Sequence, residues 1–116
     1  NFLIKRRKNA LILSELISDL DIKIPKERKN EKVNWYLYTI ETKKRDKVLA
    51  KLNSKGIGAA TYYPIPIHKT PFYNKKIKLP HTDWAASHVL SLPIHPLVST
   101  KNLEFIAKTV RESLIK

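Results

Sequence analysis

Gly56-Ile57-Gly58-Ala59-Ala60-Thr61-Tyr62-Tyr63-Pro64-Ile65-Pro66-Ile67-His68 is the stretch on which the architecture turns. The first glycine reads as the stop of a helix, because a residue just past a helix end often needs a left-handed backbone. A short strand over Ala59–Tyr63 follows and runs into Pro64 and Pro66. Two prolines remove two backbone donors, so this segment belongs at a sheet edge or a domain boundary. Alternation along a strand sends Tyr62 and Tyr63 to opposite faces, one packed and one open.

Outward from this stretch, the preceding residues supply a helix and a strand. Val33-Asn34-Trp35-Tyr36-Leu37-Tyr38-Thr39-Ile40 is dense in β-branched and aromatic residues and predicts a central strand covered on both faces. Thr42 is placed to cap the next helix, whose buried stripe is Val48, Leu49 and Leu52. Strand, helix and strand thus succeed one another within a short span. Earlier, Leu3, Ala10, Leu13, Ile17 and Leu20 recur near the helical period and predict a helix over Asn1–Leu20. Ile22–Pro25 reads as extended, since Pro25 restricts Ile24 to β or polyproline geometry. Residues 26–32 form a charged loop, the part of the chain with the weakest case for order.

Downstream, Thr70–Pro80 reads as a loop carrying Phe72 and Tyr73. A short helix over Asp83–Leu90, opened by His81 or Thr82, is expected to turn Trp84 and Val89 inward. Leu90-Ser91-Leu92-Pro93-Ile94-His95-Pro96 contains a third short strand, Ser91–His95. Ser99 or Thr100 caps the last helix, where Leu103, Ile106, Ala107, Val110 and Leu114 make one apolar face.

Composition excludes more than it proposes. The 116 residues make one domain, large enough to bury a core without staples. There is no cysteine, which removes disulfides, thiolate metal sites and thiol catalysis. No apolar run approaches the ~18 residues of a membrane span. The sequence has no Gly-rich phosphate loop, no H-E-x-x-H and no G-x-S-x-G, so no self-contained hydrolase is expected. A net charge of +13 permits contact with nucleic acid or an anionic surface. Its lysines and arginines are spread along the chain without interleaved aromatics, which suits a solvated surface better. The chain opens without Met inside a charged helical pattern and reads as a piece of a larger protein.

Four histidines stand at 68, 81, 88 and 95, at spacings that match no zinc template. His81 reads as a helix-start residue, His88 as a helix-surface residue and His95 as structural. His68, fixed behind two prolines, could donate a hydrogen bond to an anionic ligand. The plainer reading, a loop histidine satisfied by backbone carbonyls, stays open.

Seven elements in order carry a resemblance: Arg6-Arg7-x-x-Ala10, Trp35-Tyr36-x-Tyr38, Arg45-Asp46 with Leu52, Gly56-Ile57, Tyr63-Pro64-x-Pro66-x-His68, Leu79-Pro80, and Leu90-Ser91-Leu92-Pro93-x-His95-Pro96. Nearly the whole chain resembles the C-terminal part of the DegT/DnrJ/EryC1/StrS aminotransferases, pyridoxal-phosphate (PLP) enzymes that aminate nucleotide-linked keto sugars. The resemblance implies an α/β (α+β) fold, the small C-terminal domain of aspartate-aminotransferase-type (fold type I) enzymes, with a short sheet flanked by helices. It implies a cytoplasmic homodimer, a large PLP-holding domain as partner, glutamate as amino donor, and Tyr63 and His68 as substrate-side contacts. The Schiff-base lysine and the acidic partner of the pyridinium belong to motifs absent from this chain, so it should hold no PLP, carry no catalytic residue and be inactive alone. Cut from that partner, Pro64–Tyr73 and the first helix should expose apolar surface. The alternative is a stand-alone basic module that binds nucleic acid or serves a regulatory role.

Overall fold

The computed structural model describes residues 1–115 and leaves Lys116 outside. Its framework is three helices packed on one face of a two-stranded antiparallel sheet. The helices are α1 (Phe2–Ile17), α2 (Arg45–Ser54) and α4 (Thr100–Leu114); the strands are β1 (Tyr38–Glu41) and β2 (Val89–Leu92). A further helix, α3 (Pro80–His88), leads directly into β2. This is the mixed α/β architecture that the sequence predicts.

The last helix follows its pattern closely. The Ser99 hydroxyl accepts from the Asn102 amide at 3.2 Å, satisfying one of the free N–H groups of the first turn. Leu103, Ile106, Ala107 and Val110 are buried, and Leu114 packs at their edge. This face lies between α1 and α2. At its far end the ammonium groups of Lys44 and Lys47 donate to the carbonyls of Leu114 and Ile115, at 2.8 and 2.7 Å. Cations there complement the negative end of the helix dipole.

The first helix is shorter than expected, ending at Ile17, and Asn1 caps it by accepting from the Leu3 amide. Its buried stripe is Asn9, Ala10, Leu13 and Ile17. Leu3 does not join them and is 54% exposed, beside exposed Phe2 and Ile4. Asn9 is a polar residue in that stripe because its amide has work there. Its Nδ2 donates towards the carbonyls of His95 (3.0 Å), Val98 (3.2 Å) and Ile94 (3.3 Å). Two hydrogens shared by three carbonyls fix the chain that leaves β2.

The strand expected over Val33–Ile40 is corrected to its second half. The Asn34 side chain accepts from the Tyr36 amide at 3.0 Å, and Trp35 takes a left-handed backbone with φ 53°. That local turn displaces sheet pairing from the first half, a known tendency of asparagine. Trp35 is nonetheless buried, its ring stacked near Tyr38 at 6.2 Å between centroids. Coverage on both faces is also corrected. The register Tyr38↔Leu92 and Ile40↔Leu90 sends those four side chains into the core. Thr39↔Ser91 sends the other face outward, where the two hydroxyls bond each other at 2.9 Å.

Two single bridges extend the sheet, Lys23 against Glu41 and Ala60 against Ser91, both antiparallel. The strand expected at Ala59–Tyr63 is therefore reduced to Ala60. Since β1 and Ala60 both run antiparallel to β2, they are parallel to each other with β2 between them. Between them, α2 ends as the sequence implies. Gly56, at φ 76°, donates to the Asn53 carbonyl, and Ile57 donates to Leu52, each at 3.0 Å. This is the two-bond helix stop that a left-handed residue closes. The helix starts later than expected, at Arg45, and the Thr42 hydroxyl accepts from the Lys44 amide in the turn before it.

Residues 26–32 contain no helix or strand, yet the loop is tied down. Glu27 accepts from Arg7 and, at 2.8 Å, from the Val33 amide. The Arg7 guanidinium foremost, then that amide, lower the Glu27 carboxyl to about 2. A carboxylate lowered on folding stabilises the native state above its ordinary value of 4.5 and ceases to as pH falls towards 2. Acid titration followed by amide spectra should therefore release the Val33 amide within that window, while the core amides of α4 stay protected. Release of Val33 above pH 5 would contradict the pinning.

Candidate functional site

The open face of the sheet forms the floor of a cavity of about 360 Å³. Thr39 and Ser91 lie on that floor, Thr61 to Tyr63 with Pro66 and Ile67 make one wall, and Ala85 and Ala86 of α3 make the other. The hydroxyls on its floor and near wall are paired: Thr39 and Ser91 bond each other, and Thr61 donates to the Val89 carbonyl at 3.3 Å. Those of Tyr62, Tyr63 and Thr82 have no hydrogen-bond partner among the described residues, so the cavity presents an apolar floor with aromatic rings and free hydroxyls at its rim, a shape that takes an apolar group with a few polar ones.

Arg45 braces both walls from behind. One guanidinium nitrogen, Nη1, donates to the Ala86 carbonyl (2.9 Å), the Val89 carbonyl (3.2 Å) and the Thr61 hydroxyl (3.2 Å), and Nε pairs with Asp46 at 2.6 Å. It thereby joins the start of α2 to the end of α3 and to the residue before Tyr62. The sequence shows an Arg-Asp pair at a helix start but not this reach, since all three partners are remote in the chain.

Tyr63 lines the cavity and is 74% exposed; Tyr62 is exposed as well, so neither packs inward as one of them was expected to. His68 is placed differently. It sits in a short 3-10 turn, Ile67–Lys69, is only 8% exposed, and does not line the cavity, although Ile67 beside it does. Its Nε2 faces Asp83 of α3 across 3.8 Å, too long for a hydrogen bond. The structure therefore brings Tyr63 to the open site and turns His68 into the seam between this turn and α3. Beyond the turn, Phe72 and Tyr73 pack edge to face at 4.9 Å and stand exposed, Phe72 at 87%. With exposed Phe2, Leu3, Ile4 and Leu11 on α1, they supply the uncovered apolar surface expected of these two segments.

Pro80 occupies the first turn of α3, so that helix starts earlier than expected and β2 starts earlier with it, at Val89. Pro93, lacking an N–H, stands just beyond its end. Trp84 is corrected outward, 43% exposed. Its ring stacks on His88 at 3.6 Å, and its indole N–H donates to Glu41 at 2.9 Å. That bond first, and Lys23 second, hold the Glu41 carboxyl below the usual range. A groove of about 790 Å³ runs past it, and four of its charged side chains form two ion pairs, Arg111 with Asp19 and Lys23 with Glu41. Among the described residues no group of three or more metal-ligating side chains gathers, and no lysine is buried; Lys51 alone is half-covered.

Comparison with known proteins gives this geometry a context. The model of the DegT/DnrJ/EryC1/StrS aminotransferase family matches residues 1–111. A pleiotropic regulatory protein of Geobacillus stearothermophilus is 33% identical over 93% of this chain and 31% of its own length. The dTDP-3-amino-3,4,6-trideoxy-alpha-D-glucose transaminase of Streptomyces venezuelae is 35% identical over 67% of this chain and 22% of its own length. Among solved structures, S. venezuelae DesV in complex with a ketimine intermediate superposes with a TM-score of 0.92 at 28% identity, covering 99% of this chain and 33% of that one. An aminotransferase of this type from Brucella abortus gives 0.88, also at 28%, covering 99% and 32%. The chain thus spans about a third of the length of the curated relatives that it matches most fully, and it matches their C-terminal region.

Proposed function

The chain belongs to the DegT/DnrJ/EryC1/StrS aminotransferase family, whose members are PLP-dependent sugar aminotransferases, and on that premise we propose that it is the substrate-facing small domain of such an enzyme. The family match across residues 1–111 carries this reading, and the apolar cavity rimmed by Tyr63 supports it. The whole enzyme would transfer an amino group from glutamate to a nucleotide-linked keto sugar, in the cytoplasm and as a homodimer. No helix of the described residues is long and apolar enough to cross a membrane.

PLP, where bound, acts as an electron sink for the transfer and is held by a lysine through a Schiff base. The residues present do not fit that group: every described lysine has its ammonium at or near solvent, and none is buried against a carboxylate. No step on the cofactor is therefore assigned to this chain. Its share is physical. Tyr63 offers a ring for the sugar or its nucleotide to pack on. The segment Pro64–Tyr73 closes over the site, excludes water and holds the substrate in one orientation.

The test joins this chain to a PLP-holding large domain and measures steady-state transamination. Tyr63→Ala should raise the KM for the nucleotide sugar severalfold, leaving kcat and the half-reaction with glutamate nearly unchanged. An unaltered sugar KM, or an equal loss in both half-reactions, would overturn the assignment.

A further inference from the structure

We propose that Asp83 is a positioning residue for His68, fixing the ring so that Nε2 points inward and Nδ1 is left to accept a hydrogen bond from a substrate hydroxyl. The substrate half of this statement rests on the function proposed above; the pairing does not.

Two orphaned groups carry the inference. His68 Nε2 and Asp83 Oδ1 are both sealed from solvent without a hydrogen-bond partner, and they face each other at 3.8 Å. Buried polar atoms rarely remain unpaired, because each forfeits its bonds to water. Lys69 places its ammonium 2.8 Å from the same carboxylate oxygen, yet off the direction of a hydrogen bond, so that the oxygen stays without a directed partner. A movement of under an ångström brings the histidine and the aspartate into bonding range. Such bonds are commonly long in a ligand-free site and shorten when it is filled.

The two ring nitrogens then differ in what they can do. A carboxylate accepts only, so the nitrogen facing it must carry the proton. In the neutral ring that leaves Nδ1 as a lone pair. Among the described residues Nδ1 has no hydrogen-bond partner, and it is not one of the sealed atoms, so it keeps contact with solvent. A lone pair there selects a donor. The group that it would meet is a hydroxyl of the sugar rather than a diphosphate oxygen, which has no proton to give. This reverses the role that the sequence suggests for His68, a donor to an anion. The elements that meet here are α3, which contributes Asp83, and the turn Ile67–Lys69, whose Lys69 pairs with it. The carbonyl of His68 accepts from the Lys75 amide at 2.7 Å, so the backbone on the far side is fixed too.

The experiment is nitrogen-15 spectroscopy of histidine side chains in the labelled chain at about pH 8, above the ordinary imidazole range. The His68 signals are assigned by their loss in His68→Gln. The expected result is a ring protonated at Nε2 only. Asp83→Asn should mix the two tautomers and Asp83→Glu should restore the first. A ring protonated at Nδ1, or one indifferent to Asp83→Asn, overturns the pairing whatever the substrate is. Should the variants fail to fold, a wild-type ring protonated at Nδ1 still overturns the pairing, and a scalar coupling or a strongly downfield Nε2 proton that reports a hydrogen bond to the carboxylate supports it. Joined to the large domain, Asp83→Asn should raise the KM for the nucleotide sugar about two- to tenfold at constant kcat, with rescue by Asp83→Glu. The expected tautomer with an unchanged sugar KM would instead overturn the substrate-facing reading, so the two failures are separable.

Discussion

Tyr38→Ala is expected to remove about 3–5 kcal/mol of stability, the scale of truncating a large buried ring. Tyr38 is fully buried on the core face of β1, opposite Leu92 and against Trp35. Its hydroxyl and that of Ser14 bond at 2.8 Å, which ties the sheet to α1. Burial pushes its phenol up, against a smaller lowering by Ser14, so the ring stays neutral through the physiological range. Truncation leaves a cavity where sheet, helix and the Trp35 turn converge. Small domains hold only about 5–15 kcal/mol in all, so this single change would leave a sizeable unfolded population. Tyr38→Phe retains the ring and should cost only about 1 kcal/mol, the Ser14 bond. Urea unfolding of the three proteins checks both values. A loss below 1 kcal/mol for the alanine variant would mean that the core does not depend on this ring.

Arg45→Ala is expected to cost about 2–3 kcal/mol and, more tellingly, to loosen the cavity. The side chain is 12% exposed and serves three acceptors, on α3, on β2 and at Thr61 beside the Ala60 bridge. Removing it leaves the Ala86 carbonyl at the end of α3 unpaired, and leaves the Val89 carbonyl and the Thr61 hydroxyl only their bond to each other. Hydrogen exchange should quicken at Ala60 and Ser91, whose amides bond each other's carbonyls across the bridge beside it. Arg45→Lys should recover less than half of the loss, because an ammonium cannot reproduce the planar fork. Unchanged exchange at these two amides, alongside a normal melting temperature, would show that the cavity walls stand without the brace.

Local pattern carried a large share of the outcome. The capped apolar face of α4, the left-handed Gly56 stop and the edge character of Pro64 and Pro66 each depend on neighbours in the chain, so they could be read there. The errors share a different origin. In Val33–Ile40, the β propensity of the residues is real, but the Asn34 side chain captures a backbone amide and the first half becomes a turn. Leu3 lies near the helical period of its stripe, yet no remote element covers its position. Trp84 looks like core by composition, while its indole N–H finds Glu41 and its ring finds His88, both at the surface.

The site divides along the same line. Tyr63 and His68 stand in one short motif, and nothing in the sequence tells that one meets the cavity and the other meets α3. That is settled by the 3-10 turn, which rotates His68 away from Ile67, and by Asp83, fifteen positions downstream. Arg45 lies about forty residues from two of the acceptors that it clamps. By itself, the sequence determined the order of the helices, the cap of α4 and the stop of α2, and the family to which the chain belongs, because periodicity, caps and proline act over a few residues. Only the tertiary structure decided which face of the sheet stays open and which polar atoms remain unpaired, because both follow from surfaces that meet only after the chain has folded.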